Sequence, residues 1–220
     1  MNRDDLQRLF PDQVVVEVAT DADEDESLLA PVELAVMGAM VESRRREFTA
    51  ARNAARRALA RLGFADVALP RVTGGRDVHW PEGSVGSISH TRDLRAVACA
   101  RATDVACVGI DVEEAGPLGA EIIDAVCRPE ELAALATVSP PSPSDWPRVV
   151  FAMKEAAYKA LFPLTRQMLM FHDMRIKVFV ESRRFEAELL HQPVPHLQLG
   201  GRFGWDAQHV AAGALVRRIS

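Results

Sequence analysis

Cysteine is scarce in this chain: Cys99, Cys107 and Cys127 are the three among 220 residues. Their number is odd and none stands at metal-ligand spacing from another, which argues against a disulfide framework or a zinc site and leaves buried thiols. A membrane-spanning run is missing too. The apolar stretch 32–41 is too short and is interrupted by Glu33, and the opening MNRDDLQRLFPDQ has no signal-like apolar region. The expectation is a cytoplasmic protein with no membrane contact. Excess positive charge is absent: the formal net charge is -5, the wrong sign for coating nucleic acid, although a local basic face can still engage an acidic ligand. No serine lies in a Gly-X-Ser-X-Gly pattern, so no nucleophile elbow is present.

What the chain does have is 48% hydrophobic residues, enough core for one large domain or two small packed halves. Pro31 opens a helix that runs toward Ser43, and Phe48, Ala51, Ala55, Leu59 and Leu62 recur at helical spacing up to a stop at Gly63. These are two helices or one bent helix. Proline and glycine between Leu69 and Gly86 mark a loop. SVGSISH, AVACA and CVGIDVE then follow as short buried strands. Ala120 to Ala136 reads as helical, with Pro129 opening a second helix; Ser144 or Asp145 caps the helix Trp146–Phe162, which is expected to stop before Pro163. Strands follow around Ile176–Val180, FEAELL and HVAAGALV. A helix-then-strands order thus occurs twice, and the division expected to balance the elements separates residues 1–114 from 115–220.

Four constellations carry chemistry. Asp111 and Glu113 are two apart at the end of a strand, so both carboxylates leave the same face, an arrangement suited to a hard cation or to a solvated acidic turn. Glu155 and Lys159 share a helix face. An exposed ion pair is the ordinary reading of that spacing, but Phe151, Ala152, Ala156, Ala157 and Leu161 make the helix mostly buried, and charges on a buried helix need partners. In SISH, Ser87, Ser89 and His90 offer hydroxyls and an imidazole to phosphate oxygens, with a cationic His90 adding charge; a structural histidine is the alternative. In ESRRREFTAARNAARRALARLG, Arg45, Arg52 and Arg56 fall near one stripe with Arg44 at its edge. A solvated basic face accounts for most of these arginines, and the rest suit a small polyphosphate better than a duplex.

Taken in order, RRREFTAARNAAR, WPEGSVGSISHT, VGIDVE and FAMKEAAYKALFPLT resemble the surfactin-synthetase-activating class of 4′-phosphopantetheinyl transferases over Arg44 to Thr165. The resemblance implies an α+β fold of two similar halves related by a pseudo-twofold axis, with coenzyme A in the cleft between them. It implies transfer of 4′-phosphopantetheine from coenzyme A to a serine of an apo acyl or peptidyl carrier protein, releasing adenosine 3′,5′-bisphosphate. By position, Asp111, Glu113 and Glu155 would hold Mg2+, or Mn2+ in its place, and Lys159 would lie beside the pyrophosphate. Arg44, Arg52, Ser89 and His90 would contact the nucleotide end, His90 reaching the 3′-phosphate. Glu155 is the candidate general base, with relay through a water as the alternative. The loop before Trp80 and Pro81 has no lysine where the class places one, near Thr73; Arg71 or Arg76 are the substitutes. Leu164, Met168, Leu169 and Met170 beside Arg166 are either a carrier-docking surface or core. A monomer is implied, since one chain supplies both walls of the cleft.

Overall fold

The computed structural model describes residues 1–38, 40–72, 77–141, 143–190 and 197–218. Among the described residues eight strands form two antiparallel sheets and six α-helices accompany them, which is the α+β architecture expected. The smaller sheet has the order β1-β3-β2, from Val15–Val18, Arg95–Arg101 and Ser84–His90. The larger has the order β4-β8-β7-β6-β5, from Cys107–Glu114, His209–Arg218, Leu197–Trp205, Arg184–Leu189 and Met174–Phe179. Among the described residues no helix is long and apolar enough to cross a membrane.

Each sheet carries one helix of 20 residues: α3, Glu42–Arg61, lies on the smaller and α6, Trp146–Thr165, on the larger. Alanine at the buried positions allows both helices to approach closely. Ala54, Ala55, Ala58 and Leu59 meet Val97 and Cys99 on one side, while Val149, Met153, Ala156 and Ala160 meet Phe203, Val210 and Ala212 on the other. Each fully buried Val, Leu or Phe in these layers contributes roughly 1.5–3 kcal/mol. A third layer, with Leu6 of α1 (Arg3–Gln7), Phe10 and Val14, closes over Ala98 and Ile110 where the two sheets meet.

Several boundaries differ from expectation for identifiable reasons. The helix opened by Pro31, α2, ends at Ala35, and the second begins at Glu42, so the two-helix reading holds with a shifted joint. Helix α6 runs through Pro163 to Thr165, because a proline in the last turn forfeits one hydrogen bond. The stop comes instead from Arg166, in the left-handed conformation at φ 54°. Asp145 caps α6, accepting from Arg148 N at 3.0 Å. Pro129 opens α5, Pro129–Leu135, after α4, Ala120–Val126. Strand β4 pairs with β8 along its whole length, so the chain changes sheet between Arg101 and Cys107.

Candidate functional site

The site is built where β4 and α6 touch. A Cβ on Gly109 would stand 2.0 Å from Ala156 O and 2.7 Å from Ala160 N, so only glycine allows the helix to rest directly on the strand. That close approach brings Lys159 Nζ to 2.6 Å from Asp111 Oδ1. Strand β2 arrives from the other sheet and is joined to β4 by serine side chains: Ile110 N donates to Ser87 Oγ at 3.1 Å and Val112 N to Ser89 Oγ at 3.2 Å. The Ser89 hydroxyl in turn donates to Asp111 Oδ1 at 2.9 Å and lies 3.1 Å from Lys159 Nζ. Ser89 is buried, with its hydroxyl committed to the seam and to Asp111 rather than offered outward.

Three carboxylates share this corner. Burial raises the Asp111 carboxyl, against the pull of Lys159 and Ser89. Glu113 is pushed up to about 7, first by burial and then by the negative charge of Asp111, with Arg148 opposing at 3.0 Å. Burial followed by Asp111 likewise raises Glu155, and Lys159 pulls it back. Among the described residues, no three His, Cys, Asp or Glu side chains already stand as a ligand set. Asp111 Oδ2 is nonetheless buried without a partner, and the charge of Asp111 disfavours ionisation of both neighbouring carboxylates. An unpartnered carboxylate oxygen among all-oxygen donors of surplus negative charge fits a hard divalent cation.

Beside this corner lies a cleft of 510 Å³ with walls from both sheets. Arg44, Arg52, Arg71 and His90 line one wall, and Tyr158, Lys159 and Arg166 line the other. Trp80 forms part of the wall, lying so flat on Gly86 that a Cβ there would meet its ring at 2.6 Å. The buried Arg52 stands 4.5 Å over the Phe48 ring, and Arg71 lies 5.6 Å from the same ring. Neither has a carboxylate within ion-pair distance among the described residues. Burial lowers Arg52 to about 10, which still leaves it charged at neutral pH. Arg44 Nη1 donates to His90 Nε2 at 3.0 Å. Burial lowers His90 below its ordinary 6.5, which works against the cationic form considered from sequence.

The remaining arginines of α3 are occupied elsewhere. Arg45 pairs with Glu26, Arg46 with Glu42, Arg56 with Glu33, Arg57 with Glu17 and Asp23, and Arg61 with Glu17. Of the stripe read from sequence, Arg52 faces the cleft while Arg45 and Arg56 do not line it; Arg44, at its edge, does. Lys154 is fully buried in an ion pair 2.9 Å from Glu131, and it donates to Val126 O and Phe171 O at 2.8 and 3.0 Å. Its partner is structural. Met168 and Met170 are 82% and 74% exposed, which removes the core reading for them, whereas Leu169 packs on the core. Thr73 and Arg76 lie outside the described residues.

Arg148, Trp80 and Tyr158 were not singled out as site residues from the sequence, and Arg166 was named only beside the candidate docking residues. For Arg148 a signal existed, since positions 148, 155 and 159 are spaced by seven and four and fall on one helix face. The other three become neighbours only when the loop before β2 and the end of α6 meet across the cleft.

Comparison with known proteins agrees with this geometry. A family model described as the 4′-phosphopantetheinyl transferase N-terminal domain matches residues 32–100, and one described as the 4′-phosphopantetheinyl transferase superfamily matches residues 107–212. The chain is 39% identical over 214 residues to the 4′-phosphopantetheinyl transferase Svp of Streptomyces mobaraensis, covering 94% of this chain and 85% of that protein. It is 38% identical over 152 residues to the 4′-phosphopantetheinyl transferase Npt of Nocardia iowensis, covering 69% and 67%. With the 4′-phosphopantetheinyl transferase PptT of Mycobacterium tuberculosis the identity is 36% over 152 residues, covering 69% and 66%.

Proposed function

The chain belongs to the 4′-phosphopantetheinyl transferase superfamily, and we propose that the corner of Asp111, Glu113, Glu155 and Lys159 is where it moves 4′-phosphopantetheine from coenzyme A to a carrier-protein serine. The observation that carries this reading is the buried, unpartnered Asp111 Oδ2 beside two carboxylates and Lys159, the lysine also lining a cleft that holds Arg44, Arg52 and Arg71.

Asp111, Glu113 and Glu155 are the residues that would hold Mg2+, or Mn2+ in its place. When bound, the ion neutralises charge on the pyrophosphate and lowers the barrier to breaking the phosphoanhydride bond. The chain's own groups do the rest. Arg44, Arg52 and His90 grip the nucleotide end, and Arg71, over the Phe48 ring, takes the part of the lysine missing from its loop. Lys159 is held near Asp111 and Ser89, from where its ammonium faces the pyrophosphate and stabilises the leaving oxygen. Ser89 acts through these two residues.

The carrier serine Oγ attacks the phosphorus bearing pantetheine, the bond to the 5′-phosphate oxygen breaks, and adenosine 3′,5′-bisphosphate leaves. Glu155 accepts the serine proton, from the same face of α6 that carries Lys159. Arg148, bonded to Glu113 Oε2 and close to Gly116 O and Pro117 O, fixes the end of β4 against the start of α6. The carrier docks on the exposed Met168, Met170 and Leu164 at the end of α6, where Arg166 supplies positive charge for an acidic partner. The enzyme works as a cytoplasmic monomer, both walls of the cleft coming from one chain.

Intact mass spectrometry of an apo carrier incubated with the chain, coenzyme A and Mg2+ tests the reading. A gain of the phosphopantetheine mass on the carrier is expected. Free phosphopantetheine with an unmodified carrier would mean hydrolysis, and no product at all would mean a non-catalytic binder; either result overturns it.

A further inference from the structure

Glu33 is fully buried and lines no part of the cleft, yet its carboxylate is at the centre of a dense set of donors. Ala30 N donates to it at 2.6 Å and Leu69 N at 3.1 Å, while Arg56 reaches it with both terminal nitrogens, at 3.2 and 2.8 Å. One carboxylate thereby ties α2, the fourth turn of α3 and the segment entering the loop before β2. Arg56 supplies the counter-charge to this buried carboxylate.

Leu69 is the point of interest. Its N–H is held by Glu33, and its carbonyl accepts from Arg52 Nε at 2.9 Å. Both backbone polar groups of this buried residue are therefore satisfied by side chains rather than by a strand partner. Two residues later Arg71 bridges to Val78, and His79 N donates to Pro70 O at 2.8 Å, so Leu69 is the foot of a short two-sided loop that ends at Trp80. Arg52 and Arg71 stand on either side of this foot and share the Phe48 ring. A shift of Leu69 would move Arg52 through its carbonyl bond and Arg71 through the chain.

The geometry points to Glu33 as a positioning residue for the anion-binding wall of the cleft: acting through Leu69, it sets the spacing of the Arg52 and Arg71 guanidinium groups without touching the nucleotide. This inference rests on the reading of the cleft as the coenzyme A site. Glutamine at position 33 keeps the volume but turns an NH2 group toward donors, and since each carboxylate oxygen accepts two of the four contacts, two of them become donor against donor. The wall then loosens while the Asp111 corner, on the other side of β2, is left alone.

Steady-state kinetics and calorimetry with adenosine 3′,5′-bisphosphate test this on the full chain. Glu33→Gln is expected to raise KM for coenzyme A and weaken bisphosphate binding by about tenfold, with kcat within about twofold. Combined with Arg71→Lys, its effect should be less than multiplicative, because both changes spoil the same grip. Should Glu33→Gln not fold, Arg56→Lys, which keeps the counter-charge but loses the two-pronged contact, is expected to show the same split between KM and kcat. Unchanged KM and binding in the folded variants, with a lowered melting temperature only, would make Glu33 a stability element and overturn the inference. A wild-type chain that failed to bind the bisphosphate would instead remove the reading of the cleft on which it rests.

Discussion

Gly109 and Ala156 meet backbone to backbone: the hydrogen of the glycine faces the alanine carbonyl at a distance where no side chain fits. The proposed catalytic corner depends on this contact, because it sets how far Lys159 on α6 stands from Asp111 on β4. Gly109→Ala must push the helix from the strand, and since the obstacle is backbone the cost should reach about 3 kcal/mol, the upper part of the range for overpacking. Urea unfolding will read that loss. Phosphopantetheine transfer by the variant that remains folded should fall at least as steeply as stability; a variant that is stable and fully active would show the contact to be dispensable.

His90 supplies a pH dependence whose sign is determined. Its imidazole is lowered below 6.5 by burial, with Arg44, Lys159 and Arg95 adding to that and Glu47 opposing it. A phosphate dianion against the ring favours the imidazolium, so binding takes up a proton and affinity rises as pH falls. The ratio of wild-type to His90→Gln affinity for adenosine 3′,5′-bisphosphate, measured by calorimetry, should grow severalfold between about pH 7.5 and 6.0. A ratio that is flat with pH would remove His90 from the phosphate site.

Much of the site was legible in the sequence, and the reasons are local. A strand of period two places Asp111 and Glu113 on one face, and a helix of period 3.6 places Glu155 with Lys159, so spacing alone aligns each pair. What spacing cannot reveal is which element lies opposite. The assignment of Arg45 and Arg56 to the same stripe as Arg52 was sound as helix geometry, but Glu26 and Glu33, 19 and 23 residues away, claim them. Lys154 had a visible need for a partner, and Glu131 became that partner only through the packing of α5 on α6. In the fold, β7 went unread because Gly200, Gly201 and Gly204 give it the composition of a loop. Gly200 and Gly201 are required where Phe185 O and Gly213 O approach to 2.6 and 1.8 Å of an added Cβ. β1 and α1 were not foreseen either, and both are short.

Met168 separates the two substrates. It is 82% exposed, so Met168→Asp should change stability by no more than about 0.5 kcal/mol. Placed on the surface assigned to an acidic carrier, the new carboxylate should raise KM for the carrier severalfold and leave KM for coenzyme A unchanged. Unaltered carrier kinetics would show that the carrier docks elsewhere.

The most direct measurement is intact mass spectrometry of an apo carrier treated with coenzyme A, Mg2+ and either the wild-type chain or Asp111→Ala, with circular dichroism confirming that the variant is folded. Asp111 joins the lysine, the serine of the opposing sheet and the two neighbouring carboxylates in one field. The expected result is a carrier that gains phosphopantetheine with the wild type and stays unmodified with the variant. Modification at the wild-type rate by Asp111→Ala would contradict the placement of the reaction at this corner.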